Sequence, residues 1–153
     1  MILALALLTL SARASDPLLD RMAGTWAGTG ERIELASGHR TTIASATTST
    51  LDGDRLDSHN EITETDSPGA PRRYVRDYWI RPDGAAGYAL GAGDTVSSHG
   101  RLNEAGTFDV EQDLGGLIVK SSTEFDAQGS LYSESVWSGD HELSRATIRY
   151  VRH

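Results

Sequence analysis

A chain of 153 residues, 38% of them hydrophobic, is long enough for one domain with a core of its own. It contains no Cys, which excludes a disulfide scaffold, a thiolate metal site and a thiol nucleophile. A formal charge of -8 argues against a general nucleic-acid binder, which needs a basic face to release counterions.

Residues 2–10, ILALALLTL, are apolar throughout but too short to span a bilayer, which takes about 20 residues. Ala12-x-Ala14 and the polar Ser15-Asp16 follow, as at a signal-peptidase site. No Lys or Arg precedes the apolar run, so a buried N-terminal helix is the competing reading. We expect residues 1–14 to be a signal peptide and 15–153 a single exported domain, periplasmic or secreted. No later segment is apolar enough to insert stably in a membrane.

Asp16-Pro17 reads as an N-cap followed by a proline at the first helical turn, with Leu18, Leu19 and Met22 on one side and Gly24 as the stop. One or two turns do not stand alone in water, so this helix must pack on something, and a barrel mouth is a natural place. Turn signals then recur every eight to twelve residues, among them Asp52-Gly53, Pro82-Asp83-Gly84, Gly115-Gly116 and Ser138-Gly139-Asp140. Between them lie ten candidate strands, near 24–35, 41–51, 55–65, 73–81, 86–90, 95–102, 107–114, 117–126, 130–137 and 142–152. Short strands joined by tight turns predict an antiparallel meander that closes into a barrel or folds into a sandwich.

Alternation assigns the faces. Phe108, Val110, Gln112 and Leu114 oppose Thr107, Asp109, Glu111 and Asp113. Leu117, Val119, Ser121, Thr123 and Phe125 oppose Lys120, Ser122, Glu124 and Asp126. Leu56, Ser58, Asn60 and Ile62 oppose Asp57, His59, Glu61 and Thr63. Each inward set is apolar at its ends and small and polar in its middle. A dry core tolerates that only with partners, because an unpaired buried polar group costs about 1–3 kcal/mol. A ligand-sized wet lumen and an internally satisfied polar network both fit.

Gly24-Thr25-Trp26 at the start of the first strand, continuing Ala27-Gly28-Thr29-Gly30, resembles the GxW signature of the calycins. Within that group GxWxGxG is similar to nitrobindin-like barrels and bacterial lipocalin-like domains. The terminal Ile148-Arg149-Tyr150-Val151-Arg152 is similar to calycin last strands, which often supply an Arg that packs over the motif Trp. The resemblance implies an all-β, ten-stranded antiparallel up-and-down barrel with a short N-terminal helix. It also implies structural roles for Trp26 and Arg152. Nitrobindin-like proteins hold haem through a His-Leu pair near the C-terminus; His141-Glu142-Leu143 does not match it, so no cofactor is expected.

The strand 73–81 is richest in aromatics and charge. Tyr74, Arg76, Tyr78 and Ile80 share one face, Val75, Asp77 and Trp79 the other. With the first face inward, Arg76 between two phenols suits a carboxylate or phosphate; a satisfied structural Arg is the alternative. On the last strand Ala146, Ile148, Tyr150 and Arg152 share the expected lumen face. Gly28 and Gly30 either open lumen space or ease strand curvature. His39, His59, His99, His141 and His153 show no spacing with metal meaning, and no Ser sits in a nucleophile elbow. Of the strand carboxylates Glu31, Glu61, Glu64, Glu111, Glu124 and Glu134, most read as solvent-facing and only Glu134 as a lumen candidate. We therefore expect a monomer or weak dimer that binds a small, partly apolar molecule with an anionic group. The candidate contacts are Arg76, Tyr74, Tyr78, Gln112, Ser121 and Tyr150, with no catalytic and no metal residues. A small barrel enzyme, an isomerase or lyase, and a filled barrel with a protein-binding exterior are the other readings.

Overall fold

The structure, a computed structural model, describes residues 16–66 and 69–153. The expected signal peptide lies outside the described residues. Ten antiparallel strands follow one short helix: α1 (Pro17–Met22), β1 (Gly24–Glu34), β2 (Arg40–Asp52), β3 (Arg55–Asp66), β4 (Arg72–Pro82), β5 (Gly87–Ala92), β6 (Thr95–Leu102), β7 (Phe108–Asp113), β8 (Leu117–Phe125), β9 (Gly129–Ser138) and β10 (His141–Arg152). Each strand pairs with its neighbour in the chain, and β10 pairs with β1, so the sheet closes as a barrel. A sandwich is thereby excluded.

Asp16 caps α1, its Oδ1 accepting from the backbone of Leu18 at 2.9 Å and of Leu19 at 3.2 Å. The helix ends one residue before the expected glycine: Ala23 is its C-cap, and Gly24, at φ 119°, opens β1 in a conformation that L side chains rarely adopt. Leu18 and Leu19 are sealed into one end of the barrel against Leu56, Ile80, Tyr88 and Phe108. A second apolar cluster, Ile43, Ile62, Ala146 and Ile148, joins β2, β3 and β10. Trp26 and Arg152 are register partners on β1 and β10, and the guanidinium lies 4.7 Å from the indole ring. Arg152 also donates to the carbonyls of Arg21 and Ala23, both at 2.8 Å, so it ties the last strand to the end of α1.

Gly28 does not open lumen space. A Cβ there would lie 2.6 Å from the Tyr150 ring, so the missing side chain is what lets Tyr150 lie across β1.

Candidate functional site

The barrel encloses a cavity of about 540 Å³, within the range of small-molecule sites. This removes the support for a filled barrel. The wall is apolar near α1, where Met22, Ile80, Leu90, Phe108 and Phe125 line it, and mixed elsewhere, with Ile43, Ile62, Ala146 and Ile148 among polar side chains. Both explanations of the polar mid-strand residues hold, on different walls. On β2 and β3 the groups satisfy one another: Ser45 donates to Asn60 Oδ1 at 2.6 Å and contacts the Tyr150 hydroxyl at 3.2 Å, while Ser49 and Ser58 share a bond at 2.8 Å. On β7 and β8, Gln112 and Thr123 line the cavity and have no side-chain hydrogen bond among the described residues. No sealed side-chain polar atom there lacks a partner, so these groups reach open cavity.

The mouth lies beside β4. Its half from Trp79 to Pro82 pairs with β5, whereas Arg72 to Tyr78 pair with β3 alone. The cavity runs out through this break past Val75, Arg76 and Asp77 on one side and Ser97 and Ser98 of β6 on the other. Trp79 points away from the lumen, as its place beside Val75 and Asp77 requires. It is nonetheless buried, because its indole covers the bare backbone of Gly91 and its Nε1–H donates to the Gly93 carbonyl at 2.8 Å.

Arg76 lines this mouth. It is exposed, stacks on the Tyr74 ring at 5.4 Å, and has neither hydrogen bond nor ion pair among the described residues. The Tyr74 hydroxyl is no partner for it, because it donates to Glu64 at 2.8 Å. Tyr78 is buried in the lumen wall, and its phenol is pushed up by burial. Tyr150, Gln112 and Ser121 also line the cavity. The six candidate contacts thus line one cavity, from β4, β7, β8 and β10, while Trp26 and Arg152 meet at the α1 end.

Two residues dominate the lumen charge: Arg32, which the sequence analysis did not name, and Glu64, which it did not place in the lumen. Arg32 reaches in from β1, and Glu64 is a lumen residue rather than a solvent one, with only 6% of its side chain exposed. Arg32 donates to Glu64 at 2.7 Å and lies 3.6 Å from Glu134. Burial alone would lower the Arg32 pKa, but the two carboxylates outweigh it and raise it. Glu64 accepts in addition from Arg72 at 3.3 Å. Tyr132 donates to Glu134 at 2.7 Å, and its phenol is held well above its usual range by burial and then by that carboxylate. The missed signal was available. Glu64 extends the alternation of Leu56, Ser58, Asn60 and Ile62 by one step, and Arg32 follows Gly28 and Gly30 at the same spacing.

No family model and no curated protein sequence matches the chain. Among solved structures it is similar to an S-type phycobiliprotein lyase from Guillardia theta. The identity is 11% and the TM-score 0.71, over 92% of this chain and 94% of that one. At that identity the likeness carries the fold alone: the chain is a ten-stranded closed antiparallel barrel.

Proposed function

We propose that this protein is an exported, lipocalin-like carrier that holds a small, largely apolar molecule in its lumen and anchors an acidic group of that molecule on Arg76. On this reading Gly24-Thr25-Trp26 is the GxW mark of a calycin. The observation that carries the proposal is the pairing of an open cavity with an uncommitted guanidinium at its mouth. Arg32, the other cation that lines the cavity among the described residues, already faces two carboxylates. A ligand carboxylate meeting Arg76 forms charge-assisted hydrogen bonds, each worth about 1.5–3 kcal/mol. Tyr74, with its ring under Arg76 and its hydroxyl on Glu64, fixes where that charge sits. Gln112, Ser121 and Tyr150 supply polar contacts deeper in.

The neighbour's name ties it to bilin-carrying proteins, and a bilin, an extended apolar chromophore bearing carboxylates, is a suitable first probe. Titration should show binding in the lumen. Arg76→Met keeps most of the stem and removes the charge. It should weaken a bilin diacid about tenfold or more and leave the dimethyl ester nearly unchanged. Equal losses for acid and ester would overturn the Arg76 assignment. Export is tested separately: N-terminal sequencing of periplasmic protein should begin at Ser15, and an intact Met1 there would refute it.

A further inference from the structure

The two lumen carboxylates are not equivalent. Glu64 is saturated: Oε1 accepts from Arg32 at 2.7 Å and Tyr74 at 2.8 Å, and Oε2 from Arg72 at 3.3 Å. On Glu134, Oε2 accepts from Tyr132 at 2.7 Å. Its Oε1 has Arg32 Nη2 at 3.6 Å, beyond hydrogen-bond distance, and no donor among the described residues. Glu134 lines the cavity, with 13% of its side chain exposed. Arg32 and Arg72 both make their hydrogen bonds to Glu64, so Glu134 Oε1 is left as the carboxylate oxygen presented to the lumen without a donor. A bound carbonyl or carboxylate there would be repelled; a donor would complete the site.

We propose that Glu134 is a second ligand-binding residue, whose free oxygen accepts a hydrogen bond from an N–H group of the ligand. This rests on the lumen-binding reading and narrows it to one class: an apolar molecule with an acid group for Arg76 and an N–H donor for Glu134. Opposite charges at the two subsites then set the direction in which the ligand enters. The nearby cavity wall suits a flat donor-bearing group, since Ser121, the register partner of Glu134 on β8, is small and Ala146, its partner on β10, is smaller still.

The test uses two fluorescent dyes of nearly one shape, 2-anilinonaphthalene-6-sulfonate and its N-methyl analogue. Both carry the sulfonate, but only the first has the N–H. The wild-type protein should bind the N–H dye about tenfold tighter, the loss expected when a charged acceptor is left without its donor. Glu134→Gln should bring the two affinities within about threefold while leaving the N-methyl dye bound, which also shows that the variant keeps its lumen. Glu134→Asp, which keeps the charge but withdraws it by one methylene, should fall between. Equal affinities in the wild type, or a preference that survives in Glu134→Gln, overturn the Glu134 assignment and leave lumen binding standing. Failure of both dyes to bind overturns the lumen reading and this inference with it.

Discussion

Trp26 and Glu64 show two ways in which a single side chain holds this barrel. The indole of Trp26 is buried, donates to the Met22 carbonyl at 2.9 Å and carries Arg152 on its face, so three segments meet on one ring. Trp26→Ala should cost about 3–5 kcal/mol in urea unfolding, as large core truncations do. A variant that unfolds like the parent would leave the GxW assignment without its physical role. Glu64 acts by charge. Removing it leaves the half-buried Arg32 with only the distant oxygen of Glu134, and breaking a buried pair from one side costs about 3–5 kcal/mol. The exposed pair Arg40–Glu31, at 2.8 Å, is the control, because such pairs are worth about 0–1 kcal/mol. Glu64→Ala should therefore destabilise far more than Glu31→Ala, and similar losses would show that the lumen cluster is solvated. Trp26 was legible in the sequence because its motif is local. The Arg32–Glu64–Glu134 cluster was not, because it joins residues from β1, β3 and β9 that only barrel closure brings together.

At the scale of elements, the strands were legible because one face is wet. Alternation on β2, β3 and β7 is nearly unbroken, and the positions of their turns follow from Gly and Asp residues that accept the required backbone. What alternation does not encode is where a strand lacks a neighbour, so the break beside β4 was invisible. The docking of α1 depends on one such long-range contact. The Tyr88 hydroxyl on β5 donates to both oxygens of Asp16 at 3.0 Å, the same carboxylate that caps the helix. Burial, and then that carboxylate, push the Tyr88 phenol up to about 12. The folded state therefore keeps a proton that the unfolded chain releases near pH 10, and stability falls as pH rises from about 10 to about 12. Tyr74, Tyr78 and Tyr132 are shifted in the same direction, so the wild-type slope is composite. Tyr88→Phe should unfold with a visibly shallower alkaline slope in urea melts taken across that window. An unchanged slope would show that Tyr88 ionises normally and that its bond to Asp16 does not hold α1.

Across the whole molecule the barrel is uneven, and the unevenness coincides with the mouth. β2 and β3 are in register from Thr41–Asp66 to Asp52–Arg55, whereas β4 and β5 meet only from Trp79 to Pro82, and β6 and β7 only from His99 to Leu102. A register irregularity between Leu90 and Gly91 loosens the β5–β6 pair further. Amides in short, irregular ladders open at lower cost than those in long ones, so hydrogen exchange should be graded around the wall. β5 and the first half of β6 should exchange first, and β2 and β3 last. The backbone of Arg73 to Asp77 should exchange quickly wherever its amide faces the break, even though the same strand is paired to β3 on its other side. A ligand that bridges Arg76 and Glu134 spans that break from the mouth to the deep wall. Binding should then slow exchange in Tyr74–Tyr78, Ser97–Ser98 and Tyr132–Glu134, the segments that line the two subsites, where opening is local, in addition to the general slowing that a native-state ligand gives the β2–β3 ladder. Protection confined to the outer surface of β8 and β9 would instead locate the ligand outside the barrel.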